Sequence, residues 1–282
     1  MQHDYTAVGH VTIDVLEDGS RRAGGTVLYS ALQAARLGRR TLIVTRGVAE
    51  EIEALLAPFA AEFDLEVRPA HQTTTLQTSG SGSERTQQVL AWAGPMTEEL
   101  ELDSAIVHLA PIARETPQRW HGRAELIGLT PQGMARVWTG PEATIRLARP
   151  SAEDEHVAAT CHAVVVSEHE RDCCGALIAA AGGGGAVVAI TDGGDPSTIL
   201  GPGGGAVTVE VPPIEEAIDD LGAGDVFAAA FFVALGEGRT SRGAAQFATA
   251  AAAVRIQGTG AAAIGDRQAI TARLADTGER AG

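Results

Sequence analysis

The stretch IDDLGAGDVFAAAFFVAL, residues 218–235, joins an acidic, glycine-rich turn to a long apolar run. The run is apolar nearly all round, which predicts a helix buried at the centre of the protein. The first turn of that helix would contain Gly222, Ala223, Gly224 and Asp225. This turn would therefore start a central helix of the fold, and the function depends on what the turn binds.

Free backbone N–H groups and the helix dipole make the start of a helix an anion site, and small residues let a phosphate approach closely. An acid in the same turn would repel a phosphate. An acid at position 225 is explained if it acts as a general base, which accepts a proton from a hydroxyl that attacks the phosphate. The alternative is a tight turn in which the acid merely caps the helix.

The composition predicts one compact globular domain over residues 1–282, with 45% apolar and 20% charged residues. A net charge of −15 without a basic cluster argues against nucleic acid. No apolar run is long enough to predict a membrane span, and the first residues do not resemble a secretion signal. Three irregularly spaced cysteines fit neither a disulfide framework nor a zinc site. We therefore expect a cytoplasmic protein.

Short apolar runs recur along the chain, and each ends in a polar or glycine-containing turn. Examples are AIVHLAP at 105–111, AELIGLTP at 124–131 and AVVVSEHE at 163–170. Such runs alternate with helical segments, which predicts an α/β fold with a mostly parallel sheet flanked by helices.

One segment departs from this alternation. QTTTLQT and RTQQVLAWAG flank a glycine-serine tip, which indicates a β-hairpin. With the extended piece at 15–22, the hairpin at 72–93 predicts a small lid inserted in the single domain. Leu76, Leu90 and Trp92 would then need cover from a ligand or from a second subunit, so we expect a homodimer through the lid.

Two motifs resemble the signatures of the ribokinase, or PfkB, family of carbohydrate and nucleoside kinases. DDLGAGDVF at 219–227 is similar to DTxGAGDxF, with Asp220 in the place of threonine, and GGTVLYSALQAARLG at 24–38 is similar to the glycine pair that opens a helix ending in ARLG. The resemblance spans essentially the whole chain. It implies a ribokinase-like doubly wound fold with a small β lid, and an ATP-dependent, Mg²⁺-requiring kinase.

The family roles carry over to matching positions. Asp225 resembles the catalytic base, and Gly222, Ala223 and Gly224 resemble the anion hole, with the two glycines also at the ATP. Asp14 resembles the acid that binds acceptor hydroxyls, or it caps a turn at a strand end. Gly24 and Gly25 match the glycine pair of the family motif, and the resemblance implies that they lie beside Asp14 in the acceptor site.

The nucleotide side matches less well. SEHE resembles an NxxE motif in which Glu170 helps to hold Mg²⁺ through water, although Ser167 stands where asparagine is usual, and a surface charge run is an equal alternative. TDGGDP resembles a TxGxxG turn over the nucleotide, with Thr191 and Gly193 kept and Pro196 in the place of the last glycine.

The acceptor is expected to be a small sugar or a cyclic polyol, with some likeness to the inositol and sugar kinase branch. Tyr29 occupies the place of a sugar-binding asparagine, and Gln132 and Arg136 could reach an acceptor or belong to a loop. A nucleoside kinase and a non-catalytic sensor on the same fold remain alternatives. A nicotinamide-dependent oxidoreductase is disfavoured because the first strand-to-helix turn lacks GxGxxG.

Overall fold

The structure is a computed structural model that describes residues 2–80, 85–115, 119–214 and 217–280. The strands are β1 (His3–Val8), β2 (Thr12–Val15), β3 (Arg21–Gly24), β4 (Thr41–Gly47), β5 (Asp64–Pro69), β6 (Thr75–Ser79), β7 (Thr86–Ala91), β8 (Leu100–Leu109), β9 (Trp120–Arg123), β10 (Leu126–Leu129), β11 (Arg136–Val137), β12 (Ala143–Thr144), β13 (Arg146–Leu147), β14 (Ala163–Ser167), β15 (Val187–Asp192), β16 (Asp195–Leu200) and β17 (Ala206–Val209). The helices are α1 (Thr26–Arg36), α2 (Ala49–Leu56), α3 (Gln132–Ala135), α4 (Ala152–Ala159), α5 (Glu168–Arg171), α6 (Gly175–Gly183), α7 (Ala223–Gly236), α8 (Ser241–Arg255) and α9 (Arg267–Arg280).

A large twisted sheet forms the centre of the molecule. Its strands lie in the order β17-β16-β15-β14-β10-β8-β1-β4-β5, with β9 paired to β8 beside this path. The strands from β15 to β5 are parallel, and β16 and β17 add an antiparallel edge. The prediction of a mostly parallel sheet flanked by helices is confirmed.

Both faces of this sheet are buried. One face packs against α1, α7 and α8 and the other against α4 and α6. Successive residues of β1 point to opposite faces, so that Ala7 enters the first cluster and Val8 the second. Burial on two faces explains why the strands read as continuous apolar runs instead of alternating ones.

Helix α7 is the buried helix that its sequence predicts. Every residue from 226 to 234 is buried. The helix packs on α1 on one side and on α8 on the other, and α8 is largely buried in turn. The start of α7 is thereby fixed at the carboxyl edge of the main sheet.

A second, smaller sheet lies over that edge, with strands in the order β12-β7-β6-β2-β3. The segments expected to form a lid, 15–22 and 72–93, contribute to it. Strands β2 and β3 are antiparallel neighbours, β2 pairs in parallel with β6, and β12 joins at the far edge. The tip of the β6–β7 hairpin, residues 81–84, lies outside the described residues.

Of the two kinds of cover expected for Leu76, a ligand or a second subunit, the second is not needed, and Leu76 lines a cavity where a ligand would bind. Leu76 is only 1% exposed within the single chain, where it packs with Val89, Ile112 and Ala113 in a small core of its own. Trp92 is partly buried against Trp138, edge to face. The hairpin packs on the rest of the chain, a long-range contact that its local pattern does not encode. The homodimer itself stays a prediction.

Where the chain is described, none of the helices combines the length and the apolar character that crossing a membrane requires. The longest apolar helix, α7, has 14 residues.

Candidate active site

Asp225 lies in the first turn of α7, three residues after the helix cap. The cap is Gly222, which has a left-handed backbone with φ of +83° and makes no side-chain capping bond. A capping aspartate would occupy position 222 itself, so Asp225 does not have that role. The Ser30 hydroxyl of α1 donates to the Asp225 carbonyl at 3.3 Å, which ties this turn to the neighbouring helix.

Asp225 is partly buried, lines the cavity and has other acids close by. Desolvation raises the pKa of Asp225 to about 7. The Thr26 side chain and the charge of Arg136 oppose the rise, and the charges of Glu170 and Asp14 add to it. A carboxyl with such a pKa holds or releases a proton near neutrality, which suits a general base.

Asp14 approaches the same space from the second sheet. It lies in β2, is 3% exposed, and accepts a hydrogen bond at Oδ1 from the Thr12 hydroxyl at 2.7 Å. Burial raises the pKa of Asp14, while the Thr12 bond and the charges of Arg22, Arg136 and Arg85 lower it.

The glycine pair fits closely around Asp14. A Cβ atom at Gly24 would stand 2.1 Å from Asp14 Oδ2, so a side chain there would displace the carboxylate. Gly25 caps α1 with φ of +94°, and a Cβ atom there would lie 2.3 Å from the His10 carbonyl oxygen. Both positions therefore require glycine for the site to keep its shape.

A cavity of about 130 Å³ lies between the start of α7 and the second sheet. Its lining brings together most of the predicted acceptor-side and anion-hole residues, without Gly24 and Ala223, and adds others from four regions of the chain. The lining residues include Thr12, Asp14, Gly25, Thr26, Tyr29, Leu76, Arg85, Gln87, Ile112, Gln132, Arg136, Asp220, Leu221, Gly222, Gly224 and Asp225.

Two buried hydroxyl groups of the lining make no hydrogen bond of ordinary geometry within the described part of the chain, although each has a polar group close by, the Arg255 guanidinium for one and the Asp225 carboxyl for the other. They are Tyr29 Oη and Thr26 Oγ1, from residues 1% and 0% exposed. Buried polar groups are nearly always paired in folded proteins, so both hydroxyls are suited to bind a polar ligand in the cavity.

Two ion pairs join the second sheet to the turn before α7. Arg22 of β3 pairs with Asp219 at 3.1 Å, and Arg85 pairs with Asp220. Asp220 stands where the family motif has threonine, and in this chain it pairs with Arg85. Sequence reasoning missed both arginines, because nothing local indicates a contact over more than 130 residues.

The predicted nucleotide-side residues lie apart from this lining. Glu170 is buried, which disagrees with a surface charge run, and its Oε2 accepts from the Ser167 hydroxyl at 2.8 Å. Thr191 pairs with Ser167 across β14 and β15, and Gly193 forms the turn between β15 and β16 with φ of +54°. Glu170 is still close enough to act electrostatically on Asp225.

Arg136 is a further charged group of the site. It is 8% exposed and donates to the Ile112 carbonyl at 3.1 Å. Glu170, Asp225, Glu115 and Asp14 all act on its charge. It therefore adds a positive charge to the one that Arg85 brings to the cavity lining, within electrostatic reach of four acids.

A family model described as pfkB family carbohydrate kinase matches residues 144–267. The match includes the DDLGAGDVF motif at 219–227 and leaves the glycine-pair motif at 24–38 outside. No curated protein sequence matches the chain.

Solved structures show the same fold. A pyrophosphate-dependent kinase in the ribokinase family, complexed with a pyrophosphate analogue and myo-inositol, superposes with a TM-score of 0.76 at 20% identity, covering 95% of this chain and 99% of its own. Arabidopsis thaliana ribokinase, with ribose and ATP, gives 0.73 at 20% identity over 97% and 99%. A nucleoside kinase of Methanocaldococcus jannaschii gives 0.71 at 14% identity over 98% and 99%. The fold is therefore ribokinase-like.

Proposed function

We propose that this chain is a kinase that transfers a phosphoryl group from Mg²⁺-ATP to a hydroxyl of a small sugar or cyclic polyol. One observation carries the proposal. Asp225 and the N-terminal amides of α7 open into the same cavity as Asp14, which comes from the facing sheet. A base, an anion site and a hydroxyl-binding acid thus surround one small space.

The geometry supports in-line transfer. Asp14 binds hydroxyls of the acceptor, and the reacting hydroxyl gives its proton to Asp225 as the new bond to phosphorus forms. The backbone N–H groups of Gly222 and Gly224, which line the cavity, stabilise the charge on the transferring group. The Ala223 N–H donates to the Asp220 carbonyl at 3.2 Å and takes no part. The raised pKa of Asp225 makes it a stronger base than an exposed aspartate.

Arg136 is suited to assist the same step. Its charge acts on Asp225 and on Glu170, and it also lines the cavity. A guanidinium so placed neutralises negative charge that develops on the phosphoryl oxygens. From the sequence alone, Arg136 could either contact the acceptor or belong to a loop.

The lining favours a compact, polyhydroxylated acceptor. Besides Asp14, it offers the hydroxyls of Tyr29 and Thr26 and the amides of Gln87 and Gln132. Each can pair with a sugar or polyol hydroxyl. The cavity, of about 130 Å³, suits a single ring, and a wider cleft of about 660 Å³ adjoins it at Arg85, Asp220 and Leu221.

The site also fits Mg²⁺. No cluster of three or more metal-ligating side chains occurs among the described residues, and Mg²⁺ in kinases is held mainly by phosphates, water and one or two carboxylates. Glu170, buried and near Asp225, would hold it through water. When bound, the ion neutralises charge on the donor phosphates.

Pyrophosphate is a second candidate donor. The nucleotide-side motifs depart from the family pattern at Ser167 and Pro196. Structures with the same fold include pyrophosphate-dependent kinases as well as an ATP-bound ribokinase. The anion site at the start of α7 suits the phosphates of either donor.

One experiment tests the proposal and its alternatives. Purified protein with Mg²⁺ is incubated with ATP or pyrophosphate and a panel of sugars, inositols and nucleosides, and the products are followed by phosphorus NMR. The Asp225→Asn variant is the control for contaminating kinases. Acceptor-dependent product that disappears in the variant supports the kinase. Ligand binding without any product would favour the non-catalytic sensor.

A further inference from the structure

Beneath the proposed anion hole lies a guanidinium group that is fully removed from solvent. Arg255, the last residue of α8, is 0% exposed. It donates to the carbonyl oxygens of Leu221 at 2.6 Å, Gly258 at 2.9 Å and Asp219 at 3.1 Å. It also donates to Asp219 Oδ2 at 3.3 Å. Burying an arginine is costly, so these four bonds must offset a large loss of hydration.

The position of the Leu221 carbonyl decides where the next amide points. The peptide group is planar and trans, so the C=O of Leu221 and the N–H of Gly222 point in opposite directions. The carbonyl is held against Arg255, which leaves the Gly222 N–H directed away from the guanidinium. Gly222 lines the cavity, and Arg255 is not among its lining residues.

The carboxylate of Asp219 strengthens this arrangement. Oδ2 accepts from the Gly260 amide at 2.9 Å, and Oδ1 accepts from the Leu221 amide at 3.0 Å. Partial burial alone would raise its pKa, but these amides and the charges of Arg22 and Arg255 bring the pKa of Asp219 to about 2. Asp219 therefore stays ionised, and both peptide groups around Leu221 are fixed.

The guanidinium of Arg255 also contacts an aromatic ring. Arg255 lies over the Tyr29 ring, 5.4 Å from its centroid, and Tyr29 in turn packs against Gly222. The turn therefore rests on a cation–π pair as well as on hydrogen bonds.

We propose that Arg255 is a positioning residue that orients the Gly222 amide, and with it the anion hole, toward the transferring phosphoryl group. This inference rests on the proposed phosphoryl transfer but concerns a residue outside the cavity. Arg255 touches neither substrate. It acts through the Leu221–Gly222 peptide group.

The test compares Arg255→Ala and Arg255→Lys with the parent. Arg239→Ala is the matched control, because Arg239 also stacks on an aromatic ring, Phe247, but makes no contact with the turn. Removing one anion-hole donor costs roughly 10²–10³ in turnover in other enzymes, so Arg255→Ala should lose about 10²-fold in kcat. Lysine supplies charge without the planar fork and should lose about tenfold. The control should keep the parent's kcat.

Chemical rescue separates positioning from a loss of folding. Added guanidinium chloride at low concentration should restore part of the kcat of Arg255→Ala, whereas urea, which has a similar shape without the charge, should not. The thermal midpoint of Arg255→Lys is measured alongside, since this milder variant keeps the test valid if alanine prevents folding. A folded Arg255→Lys or Arg255→Ala with the parent's kcat would overturn the proposal.

Binding of inorganic pyrophosphate, measured by calorimetry, keeps the two proposals distinguishable. If the parent transfers no phosphoryl group to any acceptor, the proposed function fails. Arg255 still has to orient the anion site in that case, and folded Arg255→Lys should bind pyrophosphate several-fold more weakly than the parent and Arg239→Ala. Equal affinities in all three would overturn the positioning role by itself.

Discussion

The ring of Tyr29 lies so close to Gly222 that a Cβ atom at position 222 would stand 2.3 Å from Tyr29 Cδ1. Tyr29 belongs to α1 on the acceptor side, and Gly222 caps α7 at the anion site. Two segments far apart in sequence, both matched to family motifs, are thus in direct contact. The bulky phenol at position 29 requires the small residue at 222.

Gly222→Ala should therefore destabilise the protein, while Gly224→Ala should not. Alanine at 222 would be strained at φ of +83° and would contact Tyr29, whereas a Cβ atom at Gly224 meets no atom of the chain within 4 Å. We expect a lower thermal midpoint for Gly222→Ala alone. If the donor phosphate lies over residues 222–224, Gly224→Ala should raise the KM for the donor several-fold at unchanged stability. A parent-like midpoint for Gly222→Ala would contradict the packing described here.

Tyr29→Phe tests the Tyr29 hydroxyl. The hydroxyl makes no hydrogen bond of ordinary geometry, and the nearby Arg255 keeps its bonds to the carbonyls of Leu221, Gly258 and Asp219, so removing the hydroxyl should change the thermal midpoint little. If Tyr29 Oη binds the acceptor, the KM for the acceptor should rise by about tenfold, since a lost hydrogen bond costs about 1 kcal/mol or more. The KM for the donor should stay constant. An unchanged acceptor KM would remove Tyr29 from acceptor recognition.

Asp14→Asn should weaken use of the acceptor. Losing a charge-assisted hydrogen bond costs about 1.5–3 kcal/mol, which corresponds to roughly tenfold or more in kcat/KM. Asparagine keeps the size of the side chain next to Gly24, so the fold should persist. Steady-state kinetics with each substrate varied would check this, with the exposed Glu50→Gln of α2 as the control. Donor binding that weakens as much as acceptor use would speak against the assignment.

Asp220→Thr restores the residue of the family motif and tests the pair with Arg85. Asp220 lines the cavity, and its pair with Arg85 joins the second sheet to the turn before α7. We expect a several-fold rise in the KM for the acceptor and a small stability change, because part-exposed ion pairs contribute about 1 kcal/mol or less. In a double-mutant cycle with Arg85→Gln, the two effects should not add. Additive effects would show that the pair does not act as a unit.

The sequence predicts the parts of the fold that depend on local patterns. Apolar runs identify the strands of the parallel sheet, and the apolar stretch after GAGD identifies α7, because burial on all sides leaves no polar face. Asp225, Asp14 and the glycine pair follow from motifs. The structure brings Asp225, Asp14 and Gly25 to one cavity, with Gly24 packed against the Asp14 carboxylate.

Long-range polar contacts could not be predicted in this way. Arg22, Arg85 and Arg255 look like ordinary surface arginines in sequence, yet they pair with Asp219 or Asp220 from up to 197 residues away. One signal was available for Arg255, since it follows the alanine-rich and mostly buried run of residues 244–254 at the end of α8. The packing of the lid hairpin could not be predicted for the same reason. The residues that cover Leu76 include Ile112 and Ala113, which lie outside the hairpin in the sequence.

The pH dependence of Asp225 gives the most direct test of the base. With a pKa of about 7 in the folded protein and an ordinary value near 3.8 when unfolded, its carboxyl binds a proton more tightly in the folded state. The free energy of unfolding should therefore fall as the pH rises from about 4 to about 7, and then level off. Asp225→Asn removes this fall, so the variant should melt higher than the parent at alkaline pH, and the difference should shrink toward pH 4.

Activity should follow the opposite trend. A base must be ionised to accept a proton, so kcat/KM of the parent should rise with pH to a plateau above about 7. Asp225→Asn should lose roughly 10²-fold or more in kcat at the plateau and lose the pH step. Donor affinity should hold or improve, since a negative charge beside the phosphates is gone. A variant that turns over within a few-fold of the parent, with the pH step retained, would exclude Asp225 as the base and favour the non-catalytic sensor.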